Sequence, residues 1–239
     1  MSNNQMLNNV QHSNLKIQTD RAAKFGDDVM FCMTYPFEFR LALAHYPIVM
    51  YQQPDSKFIF PVTLFGFAEG ENLFLTEQGW DASYVPIMIQ RQPFLIGFQK
   101  SSRDAERQQV VTVNVDHPRV NKDHGELIFN EKGSYTEYLE KIVKMLESID
   151  TGQEQNKLLS EVLTKYDLLE PTTFEITLKD HSNYQLVGFS MVSEDRFTKL
   201  NAAALEDINQ KGLLIPITMM MASLSQMRAL IERRNNLLG

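Results

Sequence analysis

The chain is poor in the residues that build covalent or metal-bound cores. It contains one cysteine, Cys32, in 239 residues, so it can form neither an internal disulfide nor a cluster of thiolate ligands. Cys32 lies in the apolar run VMFCM, without a neighbouring cation or helix start that would favour its thiolate. We therefore predict a buried, inert thiol, and the sequence gives no sign of an oxidising compartment.

Motifs of the common nucleotide-binding and hydrolytic enzymes are also missing. The sequence contains no Gly-rich phosphate loop, no G-x-S-x-G elbow and no H-E-x-x-H pair. Its first twenty residues have neither the basic nor the apolar region of a secretory signal, and no uncharged apolar stretch has membrane-spanning length. These absences favour a cytoplasmic protein without direct membrane insertion, and they imply no cofactor.

The charge balance is acidic. Lys and Arg number 23 and Asp and Glu number 30, for a formal net charge of −7, which argues against general binding to nucleic acid. Three arginines near the C-terminus, Arg228, Arg233 and Arg234, are interrupted by Glu232 and are interpreted as a solvated helix end. We expect a protein partner or a small-molecule ligand, and no nucleic acid.

Strand-like and helix-like segments predict a mixed α+β fold, with a β-rich N-terminal half built of hairpins and a mainly helical C-terminal half. Residues 1–20, rich in Asn and Gln, predict a flexible tail. Residues 21–239 are expected to form a single α+β domain, with a possible subdomain split near residue 133. A short helix over 34–46 should end at Pro47, and a hairpin should follow over 47–67.

The C-terminal half contains two spacings typical of capping boxes, Ser134 to Glu137 and Thr151 to Glu154. The apolar residues before and after Gly152 fall on nearly the same face of a helix, so one long helix that continues past Gly152 would also fit. The local cap and the polar run DTGQEQN favour two helices or a kink. Farther on, the apolar helix that follows Gly212 is rich in methionine, which predicts either core packing or a subunit contact and thus a possible homo-oligomer.

Two groups of polar residues carry ligand-type atoms. His124, Glu126 and His181 could in principle supply the two-histidine, one-carboxylate face of a non-haem Fe(II) site. Such ligands need rigid, facing strands, whereas both histidines fall in predicted turns, so no metal site is predicted. Asp116 lies in a second cluster with neighbouring histidines, and its composition is typical of a solvated loop.

His45 and Tyr46 stand between the short helix and Pro47. One interpretation is structural: His45 bonds backbone groups left open at the helix end, and Tyr46 buries its ring while keeping its hydroxyl bonded. The alternative is an enzyme that uses His45 as general acid or base, oriented by Asp116 or Glu71.

Six segments resemble, in order, the SapC-like family, which takes its name from a protein encoded with surface-array, or S-layer, genes. The resemblance runs from about residue 20 to residue 232. The segments are HYPIV at 45–49, GFAEGENLF at 66–74, WDASYVP at 80–86, RQPF at 91–94, GELIFNEKG at 125–133 and GLLIPI…SL at 212–224.

The resemblance implies a bacterial protein with uncharacterised biochemical activity, from loci that include TonB-dependent receptors and serve nutrient uptake. The motif residues carried over are His45, Tyr46, Pro47, Gly70, Glu71, Asn72, Trp80, Asp81, Tyr84, Pro86, Arg91, Pro93, Phe94 and Asp116. Near the C-terminus the family pattern has a tyrosine and a histidine where this chain has Thr218 and Met220. The departure weighs against a shared reaction.

We therefore expect a non-catalytic binding or accessory protein of a bacterial surface or nutrient-uptake pathway. Arg91 could clamp a carboxylate or phosphate, and aromatic side chains could supply apolar contact. The residues expected to line the groove are His45, Tyr46, Asn72, Trp80, Tyr84 and Arg91.

Overall fold

The computed structural model describes residues 3–54, 58–99 and 108–238. Its helices and strands confirm an α+β protein with a β-rich first half and a helical C-terminal region. In chain order the elements are β1 (Asn4–Met6), β2 (Lys16–Ile17), β3 (Phe31–Met33), α1 (Phe39–Ala42), β4 (Ile48–Gln52), β5 (Ile59–Leu64), β6 (Leu75–Thr76), β7 (Gly79–Trp80), α2 (Ile87–Gln90), β8 (Phe94–Gln99), β9 (Gln108–Asn114), β10 (Val120–Asn121), β11 (Glu126–Leu127), α3 (Glu137–Lys165), β12 (Leu169–Thr177), β13 (Asn183–Val192), α4 (Glu194–Thr198), α5 (Ala202–Gln210), α6 (Leu214–Ser223) and α7 (Gln226–Asn236).

The chain divides into two compact units, each made of two separate segments. Unit 1 comprises Met1–Asp27 and Ile87–Asp150, and unit 2 comprises Asp28–Pro86 and Thr151–Gly239. The last boundary falls inside α3, so this helix contributes residues to both. The expectation of a single domain from residue 21, with a split near 133, stays a prediction.

Unit 1 contains two small antiparallel sheets, in the orders β1-β9-β8 and β10-β2-β11. The N-terminal segment is part of both, because Asn4 to Met6 pair with β9 and Ile17, fully buried, pairs with β10 and β11. Within residues 3–20, Asn4–Met6 and Lys16–Ile17 are strands, whereas the sequence predicted a flexible tail over residues 1–20. A polar composition does not prevent strand pairing, because the bonds of a sheet use backbone groups.

Unit 2 is built on a five-stranded antiparallel sheet in the order β12-β13-β4-β5-β3. The hairpin predicted over 47–67 is confirmed as β4 with β5, and β12 and β13 form a second hairpin. Helix α6 is joined to the sheet by Ser223, which is fully buried. Its Oγ accepts from the backbone N–H of Ile48 at 2.9 Å and donates to the carbonyl of Met220 at 2.6 Å.

Helix α3 runs without interruption through 29 residues. The predicted break or kink at Gly152 is therefore wrong, and the in-phase apolar stripe was the better guide. Glycine at this position serves packing: a Cβ on Gly152 would lie 2.5 Å from Cδ1 of the buried Tyr35 ring. The residue makes room for Tyr35 and does not end the helix.

One stretch of the C-terminal helices meets a length and composition test for a membrane span. It covers Leu214–Asn236, and 22% of its most apolar window is buried. The structure divides it into α6 and α7, and Arg228 lies within α7. Because this stretch contains charged residues, the expectation that no uncharged apolar stretch has membrane-spanning length is unchanged.

Candidate functional site

Tyr46 is the centre of a buried corner in unit 2. Its ring is fully buried and packs edge-on against Phe65 and Phe74, at centroid distances of 5.2 and 4.7 Å. Its hydroxyl donates to the carbonyl of Tyr84 and accepts from Nε1 of Trp80 at 2.8 Å. The HYP and WDASY segments therefore meet through side chains that satisfy one another.

A buried carboxylate, that of Glu38, extends this corner. Glu38 is 1% exposed, and its Oε1 accepts from the Tyr84 hydroxyl at 2.5 Å while its Oε2 accepts from Thr34 at 3.3 Å. Burial, and then the negative charge of Glu38, raise the pKa of Tyr84 far above its ordinary value. Tyr84 is consequently a protonated donor at neutral pH. We call Glu38, Tyr46, Trp80 and Tyr84 the Tyr46 corner.

His45 lies at the edge of this corner and is half-buried. Its Nε2 is 2.6 Å from the hydroxyl of Ser83, a separation that also suits a nucleophile and its base. The carboxylates predicted to orient His45 are bound elsewhere. Glu71 accepts from the N–H of Phe67 at 2.7 Å and pairs with an arginine, while Asp116, in unit 1, accepts from Asn3. The ring of His45 thus contacts a side-chain hydroxyl and not the open backbone groups of the structural interpretation, and both interpretations of His45 stay predictions.

The two arginines at the end of α7 are not a solvated helix end, contrary to the sequence interpretation. Arg233 donates to Asp81 at 2.6 Å and lies 4.4 Å from the ring centre of Phe74. Arg234 is 2.9 Å from Glu71 and donates to the hydroxyl of Tyr184 at 3.1 Å. Glu71 of the GFAEGENLF segment and Asp81 of the WDASYVP segment thus have cations from α7 as partners.

The other predicted groove residues also bond within the protein. Asn72 is 9% exposed, and its Oδ1 accepts from the N–H of Phe74 at 3.0 Å. Arg91 belongs to unit 1, where it donates to the carbonyl of Phe94 at 2.7 Å and contacts the sulfur of Met88. Of the predicted set, the structure gathers His45, Tyr46, Asn72, Trp80 and Tyr84 in unit 2, and it places Arg91 in unit 1.

The proposed ligands of a non-haem iron do not come together. Within the ranges that the structure describes, no group of three or more His, Cys, Asp or Glu residues could hold a metal ion. His124, Glu126 and His181 all fall in those ranges, so this alternative has no geometric support. Cys32, predicted to be buried, is half-buried and contacts the hydroxyl of Thr63 at 3.5 Å.

Unit 2 contains an open cleft of about 560 Å³ that the sequence analysis missed. Aromatic rings form its floor: Phe31 and Tyr51 line it, with centroids 4.7 Å apart, and Phe189 packs within 5.7 Å of both. Because Tyr51 pairs with Phe189 across β4 and β13, their side chains share one face of the sheet. The lining residues are Asp28, Val29, Met30, Phe31, Tyr51, Glu69 and Gly70, and we call them the acidic cleft.

Among the residues that the structure describes, the charged side chains that line the acidic cleft are all negative. They are Asp28 and Glu69, and no described basic side chain lines it. Gly70 has a φ of 76°, a left-handed conformation that favours glycine and turns the chain just after Glu69. Two backbone N–H groups, of Phe65 and Gly66, donate to the carbonyl of Met30 and hold the opposite wall. The cleft therefore offers an apolar aromatic floor with a negative rim.

The family model that describes SapC matches residues 7–230, which is nearly the whole chain. The chain belongs to the SapC family. No curated protein and no solved structure matches it significantly. For this SapC protein the Tyr46 corner gives a physical role to the segments at 45–49, 66–74 and 80–86, which lie far apart in sequence and bond to one another in unit 2.

Sequence reasoning located the SapC segments but missed their partners. Glu38 lies outside the SapC segments, within the predicted short helix, and Ser83 lies inside WDASYVP but was not among the residues predicted to have a role. The acidic cleft had a usable signal: aromatic residues alternate at Phe58 and Phe60, around the start of β5, and Tyr51 is the next-to-last residue of β4. Treating that alternation as one face of a sheet would have predicted an aromatic surface.

Proposed function

We propose that this SapC protein is a non-catalytic binding protein whose acidic cleft holds a lysine or arginine side chain of a partner polypeptide. The observation that carries the proposal is an aromatic floor under a rim that, in the part of the chain that the structure describes, has two carboxylates and no cation. An ammonium or guanidinium group is attracted both by carboxylates and by the face of an aromatic ring. A cation with an apolar stem is therefore the ligand chemistry that fits best.

The size of the cleft supports a ligand larger than an inorganic ion. Its volume of about 560 Å³ lies within the ~300–1,000 Å³ of ordinary ligand sites. A long basic side chain could lay its methylene groups on Phe31 and Tyr51 while its charged end stays at the rim. An anionic ligand would meet Asp28 and Glu69 without compensation.

A row of aromatic rings favours an extended polypeptide over a small amine. Tyr51 contacts Phe60 at a centroid distance of 5.8 Å, and Phe60 contacts Phe58 at 5.4 Å. Phe58 is 50% exposed, so the aromatic surface continues from the cleft floor toward solvent. Large exposed aromatic side chains are typical of protein-binding surfaces. A peptide with alternating basic and apolar residues could contact the cleft and this row together.

The proposal retains the pathway that the SapC resemblance implies, an accessory role in surface assembly or TonB-dependent nutrient uptake. It moves the binding residues from the predicted groove to the acidic cleft. The reason is that the polar atoms of Tyr46 and Tyr84 already bond within the Tyr46 corner. The protein is assigned no chemical step.

The test uses the full chain and a fluorescein-labelled peptide of four lysine-phenylalanine repeats, with fluorescence anisotropy as the readout. A matched peptide with glutamate in place of each lysine serves as the probe control. We expect the lysine peptide alone to bind, and we expect the double variant Asp28→Asn/Glu69→Gln to weaken its binding about tenfold or more, because charged contacts contribute about 1.5–3 kcal/mol each.

A second double variant controls for net charge. Glu77→Gln/Glu175→Gln removes two exposed carboxylates of unit 2 that do not line the cleft. We expect it to bind the peptide like the unchanged protein at the same ionic strength. If both double variants lose affinity equally, or if the glutamate peptide binds as well as the lysine peptide, the proposal is wrong.

A further inference from the structure

Unit 1 has a cavity of opposite charge. Its volume is about 230 Å³, and its lining includes Arg21, Arg119 and Lys141. No Asp or Glu is among its lining residues in the ranges 3–54, 58–99 and 108–238. We call it the basic cavity. It shares no residue with the acidic cleft, and none of the SapC segments supplies its three cations.

Arg119 is the most deeply buried of these cations, at 1% exposure. Its Nη1 donates to the carbonyls of Gln18 and Asp20, at 2.9 and 2.6 Å, and its Nη2 donates to Asp27 at 2.5 Å. Its Nε is buried and, within the described ranges, has no hydrogen-bond partner. A buried donor without a partner costs about 1–3 kcal/mol. Arg119 therefore has an unmet donor next to a cavity.

Arg21 brings a second guanidinium to the same carboxylate. Its Nη1 lies 3.5 Å from Asp27 and donates to the carbonyl of Ile89 at 3.1 Å. Burial, and then repulsion from Arg119, lower the pKa of Arg21. Among the residues that the structure describes, Asp27 pairs with both guanidinium groups, so these ion pairs leave a net positive charge before Lys141 is counted.

Helix α3 also lines the basic cavity. Tyr138 and Lys141 are three residues apart and lie on the same helix face. Burial raises the pKa of Tyr138 to about 12, so its hydroxyl keeps its proton at neutral pH and can donate. The wall thus adds a cation and a neutral donor to the two guanidinium groups.

We infer that the basic cavity binds a small molecule through an oxyanion group, a phosphate or a carboxylate. Guanidinium groups match the paired oxygens of both anions. The volume of about 230 Å³ corresponds to roughly eight water molecules at ~30 Å³ each. It suits an inorganic phosphate or a short dicarboxylate and is too small for a nucleoside triphosphate.

Isothermal titration calorimetry on the full chain tests the inference, with inorganic phosphate, succinate and chloride as separate titrants at one ionic strength. We expect phosphate or succinate to bind and chloride not to bind, and the stronger of the two identifies the oxyanion. Lys141→Met should weaken that binding about tenfold, because it removes one charged contact and keeps the side-chain length. Arg21→Lys should also weaken it, since lysine keeps the charge but loses the planar fork.

Lys144→Met is the matched control. Lys144 is exposed on the same helix, three residues beyond Lys141, and does not line the cavity. Its variant should bind like the unchanged protein. The inference is overturned if neither phosphate nor succinate gives heat above chloride, or if Lys144→Met weakens binding as much as Lys141→Met. Melting temperatures of the variants, measured without titrant, confirm that each compared protein is folded.

Discussion

The hydroxyl of Tyr84 lies 2.5 Å from a carboxylate that has almost no access to water. A buried carboxylate needs donors, since an unsatisfied one is far more costly than an exposed one. Glu38 therefore depends on the Tyr84 hydroxyl as a hydrogen-bond donor. The backbone carbonyl of Tyr84 in turn accepts a hydrogen bond from the Tyr46 hydroxyl. Each side chain of the Tyr46 corner thus stabilises the fold partly by satisfying the hydrogen bonds of another.

Replacing Tyr84 by phenylalanine should lower the free energy of unfolding by about 2 kcal/mol, because it removes one donor to buried Glu38 and keeps the ring. Urea unfolding monitored by circular dichroism measures the change. Tyr135→Phe is the control: Tyr135 is 44% exposed, and we expect a change within about 0.5 kcal/mol. Equal effects of the two substitutions would contradict the dependence of Glu38 on Tyr84.

At the residue scale, the sequence predicted which side chains lie near one another better than it predicted what those side chains do. His45 and Tyr46 were correctly placed at a corner between a helix and a strand. The segments do not reveal that Arg233 and Arg234 serve Asp81 and Glu71, because ion pairs across more than 150 residues leave no local pattern. The acidic cleft was missed for the same reason, since its walls come from separate segments.

Among the elements, α3 shows how a glycine can mislead. Helix propensity alone predicts that Gly152→Ala stabilises the helix by about 1 kcal/mol. The added Cβ would instead lie 2.5 Å from Cδ1 and 2.7 Å from Cγ of Tyr35, a distance that real side chains do not tolerate. Packing outweighs propensity here because the Tyr35 ring is fully buried and has little room to move.

We predict that Gly152→Ala destabilises the protein by about 1–2 kcal/mol, a reversal of the propensity effect that reflects overpacking. Thermal and urea unfolding provide the measurement. Ser148→Ala, at an exposed position one turn earlier in α3, is the comparison and should change stability by less than about 0.5 kcal/mol. A stabilised Gly152→Ala protein would show that Tyr35 can shift freely.

The elements that the sequence predicted well are those with strong local patterns. The hairpins of unit 2 have alternating residues and clear turns, and their register follows. Strands β1 and β2 could not be predicted because they are three and two residues long and polar in part. Such short strands form because β9, β10 and β11 present backbone groups to them, which is tertiary information.

For the whole molecule, acid sensitivity should originate in unit 1. His12 is 2% exposed, accepts from the N–H of Asn8 and lies 3.2 Å from the Gln5 side chain. Burial lowers the pKa of His12 below 6.5, and burial likewise lowers the pKa of His117. The unfolded chain therefore binds protons at a higher pH than the folded protein does.

The sign of the pH dependence follows from that difference. Above about pH 6.5 neither state is protonated at these groups, and they have no effect on stability. As the pH falls below about 6.5 the unfolded state gains protons first, so the free energy of unfolding decreases until the folded-state pKa values are passed. We expect the urea midpoint to fall between pH 7 and pH 5. In the double variant His12→Gln/His117→Gln, the urea midpoint should change less with pH over this range than in the unchanged protein. The same change in both proteins would contradict the prediction.

The pairing of Asp81 with Arg233 has a consequence for biosynthesis. The ribosome adds the arginine 152 residues after the aspartate, so the loop of Glu71 and Asp81 emerges long before its counter-charges exist. Domains generally fold as units during translation. Unit 2 can therefore form these ion pairs only after α7 has been synthesised.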